Sequence, residues 1–151
     1  MKAVIQRVRS ASLVSEGKTV SEIGKGLFIL LGVRDSDSEE DSRLLAAKCS
    51  GIRLFEDDRG KMNLSVDDIG GEILVVSNFT LYADCKKGKR PSFTSAARPE
   101  KAKPLYESFV RNLDCEKVVK TGIFGADMKI SAENDGPVTI IIESEDLRNG
   151  N

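Results

Sequence analysis

Stretches in which polar and apolar side chains alternate dominate the chain, and helical patterns occur only singly between them. The first stretch, VIQRVRSASLV, is followed by the turn residues SEGK. Because a period of two places successive side chains on opposite faces of a strand, this stretch predicts a strand. TVSEIGKGLFILLGV then supplies two further extended segments, which break at residues 24–26. The amino-terminal part of the chain therefore predicts an antiparallel meander.

Two segments carry the signals of helices. SDSEEDSRLLAAKCSGI opens with Ser and Asp residues and an acidic first turn, and it predicts a helix from about residue 38 to residue 50. The second segment places apolar residues at the spacing of one buried helical stripe, and Pro104 is expected near its first turn. The stripe comprises Ala102, Leu105, Tyr106, Phe109, Val110 and Leu113.

Short extended segments account for most of the remaining chain. IRLF and EILVVSN flank a polar, turn-rich connection, and KVVKTGIF, MKISAEN and PVTIIIES follow the second helix. Strands outnumber helices, and the helices lie singly between groups of strands. These patterns predict one α+β domain over residues 1–146, with a mainly antiparallel, barrel-like sheet covered on one side by two helices. The tail over residues 147–151, LRNGN, is expected to fray.

The composition restricts the cellular setting. A chain of 151 residues can bury a core without disulfides or metals. The longest apolar run, LFILLGV, is too short to cross a bilayer, and the amino terminus lacks the apolar stretch of a signal peptide. We therefore expect no membrane segment and a cytoplasmic location. The widely spaced Cys49, Cys85 and Cys115 form no CxxC pair and are expected to be reduced thiols, with Cys49 in the core.

The chain contains no histidine. This absence removes Ser-His and Cys-His nucleophile pairs, histidine general bases and histidine metal ligands together. Any activated hydroxyl would need a lysine, a carboxylate or the substrate itself as its base. No metal site and no cofactor are expected.

Two groups of charged residues have a functional and a structural interpretation. The adjacent carboxylates at 57–58 and 67–68 could serve metal binding or acid-base chemistry, but both pairs lie beside glycines and favour solvated turns. KKGKR places Lys86, Lys87, Lys89 and Arg90 together in a chain of net charge −1. Such a run is consistent with a phosphate-binding loop and equally with a solvated charged surface.

Two short motifs suggest a site. SNFTL places the hydroxyls of Ser77 and Thr80 at the end of an apolar strand, where nucleophiles are often found. ENDGPVT joins a turn signal to a proline just as the next strand begins. One interpretation of the second motif is an ordinary trans X-Pro turn. The other is a rigid backbone shelf whose carbonyls point at a ligand.

Taken with MKAVIQRV, RPSF and GIFGADM, these two motifs resemble the D-aminoacyl-tRNA deacylase family. The likeness runs from Met1 to about Ser144 with similar spacing. The family usually has Gln where this chain has Asn78, so the amide is kept on a side chain that is one methylene shorter. The resemblance implies hydrolysis of the ester that joins a D-amino acid, or glycine carried on tRNA(Ala), to the terminal adenosine of tRNA, which is a chiral proofreading step in translation.

The resemblance also implies where the site lies. It implies a homodimer with each pocket at the subunit interface, and it assigns the adenosine and ester side of the pocket to one subunit. The Gly-Pro pair, with a cis bond, enters from the partner subunit as the chiral check. By resemblance, Arg7 braces that loop. The implied pocket residues are Ser77, Asn78, Phe79, Thr80, Ala97 and Phe124, with Gly136 and Pro137 from the partner.

Three interpretations are open at this point, two of them hydrolytic mechanisms and one a binding function. In the first, backbone N–H groups around Phe79 and Thr80 stabilise the oxyanion while the adenosine 2′-hydroxyl orients water, because an aminoacyl ester is already activated. In the second, Thr80 forms an acyl-enzyme, although no base is evident. In the third, the chain is a non-catalytic dimeric module that binds nucleic acid through KKGKR.

Overall fold

The computed structural model describes residues 1–113 and 118–149. Its sheet is built around one long hairpin. Strand β1 (Lys2–Ser15) pairs antiparallel with β2 (Lys18–Ile23) and with β3 (Gly26–Gly32). The pairing of β1 with β3 continues into its pairing with β2 without a change of register as far as Leu13. Strands β2 and β3 therefore form one arm of the hairpin, which is interrupted between them. The predicted meander is therefore wrong. The arm is interrupted because Gly24 donates to the Glu72 carboxylate and the Lys25 carbonyl accepts from the Glu72 amide.

The other edge of β1 pairs antiparallel with β8 (Lys129–Glu143) along nearly its whole length. The register shifts on either side of Val8, where residues 135–138 of β8 have no partner in β1. MKISAEN and PVTIIIES were predicted as separate strands, but they are two halves of this one strand. The Asn-Asp-Gly signal therefore forms a bulge in a continuous strand, because long pairing with β1 on both sides of the motif outweighs the local turn preference.

The remaining strands make the sheet mixed. Strand β6 (Glu72–Ser77) pairs parallel with β3 and with β7 (Val119–Thr121). The long connection from β3 to β6 contains a helix and so permits a parallel crossover, which strand patterns alone did not reveal. The Ser21 hydroxyl donates to the Thr121 carbonyl at 2.5 Å and joins β2 to β7, so the sheet curls towards a barrel. The predicted α+β class is confirmed, with a larger parallel component than expected.

Two helices cover one face of this sheet. Helix α1 (Glu39–Gly51) agrees with its predicted bounds, and α2 (Pro99–Arg111) packs beside it. Leu45 and Phe109 are fully buried between these helices and the sheet. Pro99, rather than Pro104, occupies the start of α2, because the helix begins three residues before its apolar stripe. Pro104 therefore lies in the second turn, which corrects its predicted position.

A third helix, α3 (Ser144–Asn149), follows β8 directly. The expectation that the chain frays from residue 147 is wrong for residues 147–149, because Leu147 packs against the core and Arg148 contacts the Asp41 carboxylate at 3.2 Å. Residues 150 and 151 lie outside the described residues. Within the described part of the chain, no helix is long and apolar enough to cross a membrane.

A short hairpin completes the fold. Strand β4 (Phe55–Glu56) lies at the end of the predicted strand IRLF, and it pairs antiparallel with β5 (Met62–Leu64), which lies within the connection that was predicted to be polar and turn-rich. Of the cysteines, Cys49 is a free thiol in the core, where burial raises its pKa to about 12, and Cys85 is a free thiol at the surface. Cys115 lies outside the described residues.

Candidate active site

A cavity of about 850 Å³ opens where the parallel strands β3 and β6 end. In sheets of this kind the carboxyl ends of parallel strands are a common place for ligands. Six of the residues implied by the family resemblance line this one cavity, although they come from three separate parts of the chain. They are Ser77, Asn78, Phe79, Thr80, Ala97 and Phe124.

One wall of the cavity is a short 3-10 helix, Phe79–Tyr82, which we call the site turn. It begins where β6 leaves the sheet, and the backbone N–H of Asn78 donates to the Leu31 carbonyl at 2.8 Å. The Asn78 side-chain oxygen accepts from the Thr80 N–H at 3.1 Å and from the Thr80 hydroxyl at 2.5 Å. Asn78 therefore caps the site turn. Within the described residues, the Phe79 N–H has no acceptor.

Apolar and aromatic side chains make most of the remaining cavity wall. Phe79 is 58% exposed, and its ring meets that of Phe93 edge to face with the centroids 5.1 Å apart. The rings of Tyr106 and Phe124 lie 5.9 Å apart at the other side. Tyr106 donates to the Val75 carbonyl, and burial raises its pKa to about 12. Its hydroxyl therefore stays protonated at neutral pH and supplies no base.

Only two charged side chains line the described cavity, Arg98 and Asp127. The Asp127 carboxylate pairs with Lys129 at 2.8 Å, and both side chains are largely exposed. Arg98 has no ion pair within the described residues. It lies between Ala97, which is buried, and Pro99, which is the first residue of α2. Sequence reasoning missed Arg98 and Asp127. Their positions beside the implied pocket residues Ala97 and Phe124 were the available signal.

The Gly136 and Pro137 pair lies in the bulge of β8, is exposed to solvent, and does not line the cavity of its own chain. Its peptide bond is cis, as the resemblance implies. A Cβ at position 136 would lie 2.1 Å from the Val138 nitrogen, so only glycine fits there. The two residues of this pair are thus accessible to solvent and separate from the cavity lining.

Two side chains hold the base of this bulge. Asn134 donates to the Val138 carbonyl at 3.1 Å and accepts from the Val138 N–H at 3.0 Å. The buried Arg7 donates to the Asp135 carbonyl at 2.8 Å and to the Leu54 carbonyl at 2.7 Å. Arg7 therefore contacts the residue before Gly136. The contribution of Asn134 was missed because Asn before Asp-Gly is typical of an ordinary turn.

The basic segment follows the site turn closely. Asp84 and Ser92 pair with each other and close a small loop between them, which we call the basic loop. The Asp84 carboxylate accepts from the Lys86 amide at 2.9 Å and shapes the first bend. The cations of the basic loop are exposed, and none has an ion pair among the described residues. They are Lys86, Lys87, Lys89 and Arg90.

The acidic pairs lie away from the cavity. Asp57 accepts from the amides of Arg59 and Lys61 and from the Asn63 side chain, and these hydrogen bonds, led by that of Lys61, lower its pKa. Asp68 accepts from Ser65. Both carboxylates therefore shape exposed turns, which confirms the structural interpretation for these two residues.

Comparison with known proteins shows which family the chain resembles over nearly its whole length. The family model described as D-Tyr-tRNA(Tyr) deacylase matches residues 4–143. A protein of Flavobacterium psychrophilum is 58% identical over 147 residues, covering 96% of this chain and 98% of its own length. One of Desulfatibacillum aliphaticivorans is 56% identical over 146 residues, covering 96% of this chain and all of its own. Both are named D-aminoacyl-tRNA deacylase.

Two solved structures share the fold. One is described as c-Myc DNA Unwinding Element Binding Protein, with 41% identity and a TM-score of 0.89, and the match covers 95% of this chain and 98% of the other. The second is described as a probable eukaryotic D-amino acid tRNA deacylase, with 18% identity and a TM-score of 0.79 over 94% and 98% of the two chains. At that identity, the second likeness concerns the fold alone.

Proposed function

The chain belongs to the D-Tyr-tRNA(Tyr) deacylase family, and from this membership we propose that it hydrolyses the ester of D-aminoacyl-tRNA at the cavity described above. The predicted family is confirmed, and the enzyme is a carboxylic ester hydrolase. One observation carries the assignment of the site: the strand-end motif, Ala97 and Phe124 meet around a single cavity of suitable size.

The proposed ligand is the 3′ end of the tRNA. Unstacked RNA ends are commonly bound by stacking on aromatic rings, and the exposed Phe79 ring offers such a surface at the cavity. The basic loop begins just after the site turn, and its exposed cations, which have no ion pair among the described residues, can contact backbone phosphates. Arg98 adds a further cation at the cavity itself. The basic loop ends at Ser92, directly before the cavity-lining Phe93, so the proposed stacking surface and the proposed phosphate contacts are adjacent in the chain.

The proposed mechanism uses the backbone and the substrate. The Phe79 N–H has no acceptor in the described residues and can donate to the oxyanion. The Thr80 N–H already donates to Asn78, so it contributes only if that cap opens. Such donors are each worth roughly 2.7–4 kcal/mol in other enzymes. The 2′-hydroxyl of the terminal adenosine then orients the attacking water. As water adds to the ester carbonyl, the bond from the carbonyl carbon to the ribose 3′-oxygen breaks, and the proton lost by the water passes to that leaving oxygen, so no side-chain base is required.

The alternative in which Thr80 attacks the ester has less support. The Thr80 hydroxyl donates its hydrogen bond to the Asn78 side-chain oxygen, which is an amide oxygen and too weak a base to take the proton. Within the described part of the chain, neither Arg98 nor Asp127, the two charged residues at the cavity, hydrogen-bonds to Thr80. The hydroxyl therefore serves the cap of the site turn.

Chiral selection is proposed to come from a second subunit. The Gly136–Pro137 pair is exposed and does not line the cavity of its own chain, so it is available to enter the cavity of a partner. Backbone carbonyls there would hold the α-amino group of the substrate and leave no room for an L side chain. Glycine has no side chain to exclude, and we expect glycyl-tRNA(Ala) to be a substrate as well.

The decisive experiment compares matched substrates. We expect the protein to release D-tyrosine from D-tyrosyl-tRNA at least about a hundredfold faster than L-tyrosine from L-tyrosyl-tRNA, since steric exclusion of one enantiomer costs several kcal/mol. Release of the amino acid is measured with limiting enzyme, and a reaction without enzyme gives the spontaneous rate. Equal release from the two substrates, or release no faster than the spontaneous rate, contradicts the proposal.

A non-catalytic nucleic-acid-binding function is the second candidate. The exposed basic loop and the likeness to a structure described as a DNA-binding protein favour it. This function predicts binding of RNA or DNA that weakens steeply with salt and no stereospecific ester hydrolysis. Measuring binding of deacylated tRNA and of a DNA duplex across a salt series, beside the hydrolysis assay, separates the two functions.

A further inference from the structure

Gly32 ends strand β3 directly beneath the site turn, and it is buried. A Cβ at this position would lie 3.1 Å from the Leu81 Cβ, 3.2 Å from the Tyr82 Cε2 and 3.3 Å from the Asn78 carbonyl oxygen. All three atoms belong to the site turn or to its cap. Since each distance is shorter than an ordinary van der Waals contact, a side chain at this position would require the site turn to shift by a few tenths of an ångström.

We propose that Gly32 is a positioning residue: the missing side chain sets the distance between the site turn and the sheet, and so the place of the Phe79 N–H in the cavity. This inference rests on the proposed function. The φ of Gly32 lies outside the left-handed region, so space, rather than backbone conformation, is what requires glycine here.

Other contacts tie the site turn to the sheet and fix its capping residue most closely. The Asn78 amide donates to the Leu31 carbonyl at 2.8 Å. Lys2 donates to the Leu81 carbonyl at 3.4 Å, and its ammonium lies 5.1 Å from the centroid of the Tyr82 ring. The turn follows Asn78, which is fixed to the sheet, while an added methyl group would push Leu81 and Tyr82 away. The turn would therefore tilt by a few tenths of an ångström. Phe79 lies in the chain between the fixed Asn78 and the displaced Leu81, so it would move too.

The test is Gly32→Ala, with Gly71→Ala as the matched control. A Cβ at the buried Gly71 would meet three atoms at 3.0 Å, those of Ile69, Lys25 and Val66, at the opposite end of β6 and away from the cavity. The two variants therefore introduce similar crowding. Because a misplacement of 1 Å can cost about a hundredfold in rate, we expect Gly32→Ala to lower kcat roughly three- to tenfold with KM within about twofold. Gly71→Ala is expected to lower Tm but to leave kcat unchanged.

A double-mutant cycle with Tyr82→Leu keeps the test informative where Gly32→Ala alone folds poorly. Removing the Tyr82 ring opens space for the added methyl group, so the Gly32 substitution should lower kcat less in the Tyr82→Leu background than in the wild type. An equal loss in the two backgrounds, or a kcat for Gly32→Ala equal to that of the wild type, overturns the proposal.

A measurement without substrate separates this inference from the proposed function. The amide ¹H and ¹⁵N chemical shifts of Phe79 and Thr80 should change in Gly32→Ala and stay unchanged in Gly71→Ala. If the wild type hydrolyses no D-aminoacyl-tRNA but these shifts change, the proposed function fails while the positioning role stands. If the wild type is active and the shifts do not change, the positioning role of Gly32 is wrong.

Discussion

The side chain of Asn78 bonds to its own turn, and this contact gives the departure from the family's usual glutamine a physical meaning. Its oxygen accepts from both the N–H and the hydroxyl of Thr80, so it holds the start of the site turn. A glutamine carries its amide one methylene farther from the backbone and is not among the preferred N-cap residues. Asn78 therefore caps the site turn, and a direct contact of its side chain with the substrate stays a prediction.

Removing this cap should loosen the site turn. We expect Asn78→Ala to lower the free energy of unfolding by roughly 0.5–2 kcal/mol, the usual cost of losing an N-cap, and to lower kcat as well. Asn78→Asp keeps an acceptor oxygen and should lose less stability. Chemical denaturation and steady-state hydrolysis of D-tyrosyl-tRNA measure the two effects. An Asn78→Ala protein of wild-type stability would show that the cap contributes nothing.

Thr80→Val tests the hydroxyl with little change in side-chain shape. Since we assign the Thr80 hydroxyl to the cap and not to the chemistry, we expect the single-turnover rate on D-tyrosyl-tRNA to fall by less than about tenfold. Rapid quenching and mass spectrometry follow the rate and any covalent adduct. A loss of several orders of magnitude, with an acyl-threonine trapped in the wild type, would instead establish Thr80 as the nucleophile.

At the level of elements, the bulge of β8 depends on groups outside the Gly-Pro pair. Asn134 closes its base with two hydrogen bonds to Val138, and Arg7 holds the Asp135 carbonyl from β1. We expect Asn134→Ala to lower Tm and to reduce the ratio of D- to L-tyrosyl-tRNA hydrolysis, because a loosened bulge excludes an L side chain less strictly.

Glu133→Gln provides the control for this prediction. Glu133 precedes Asn134 and pairs only distantly with Arg9, at 3.9 Å, and both side chains are more than 60% exposed. Losing such a surface pair should change neither stability nor selectivity. Unchanged selectivity in Asn134→Ala together with a lowered Tm would limit Asn134 to a purely structural role.

A second link between elements joins the start of α1 to α3. The buried Asp41 carboxylate accepts from the Ser38 amide and hydroxyl, each at 2.9 Å, and pairs with Arg148. Burial opposes ionisation of Asp41, but hydrogen bonding by Ser144 and Ser38 outweighs it and holds the pKa of Asp41 below its ordinary value of 3.8.

This lowered pKa predicts that the protein loses stability as the pH falls into the acid range. The native protein binds fewer protons at Asp41 than the unfolded chain does, so its stabilisation is complete above pH 3.8 and is lost as the pH falls towards the native pKa. We expect Asp41→Asn to be less stable by roughly 2 kcal/mol at pH 7, and the difference from the wild type to shrink below pH 4. Urea denaturation across pH 2.5–7 measures it, and a difference that grows on acidification would contradict the assignment.

The molecule as a whole presents β8 as an unpaired edge. Among the described strands, only β1 pairs with β8, and Ile141 is 65% exposed on it. A long edge strand with exposed apolar side chains is a common surface for association of protein chains. The proposed dimer would cover this edge and bring the bulge of one subunit to the cavity of the other.

Ile141→Asp should therefore weaken the dimer and the activity together. We expect the variant to sediment as a monomer at micromolar concentration and to lose more than about tenfold in activity, since a buried unpaired carboxylate costs several kcal/mol. Met62→Asp is the control, because Met62 is 47% exposed on the β4–β5 hairpin, away from β8. A monomeric Ile141→Asp protein with full activity would contradict a site shared between subunits.

The sequence alone determined the features that depend on local spacing. The bounds of α1 follow from its cap and acidic first turn, and the apolar stripe of α2 from a repeat that is visible without contacts. The absence of histidine excluded whole classes of mechanism before any geometry was known. The motif resemblance then singled out Phe124, which is remote in sequence from the site turn and yet lines the same cavity.

Only the tertiary structure decided how distant segments pair. The parallel crossover to β6, the single interrupted arm of β2 and β3, and the continuity of β8 through Asn-Asp-Gly all depend on long-range hydrogen bonds that outweigh local preferences. The roles of Asn78 and Gly32 were hidden for the same reason. One depends on which acceptor a backbone N–H meets, and the other on how closely a turn packs above a strand, and neither property is present in the order of residues.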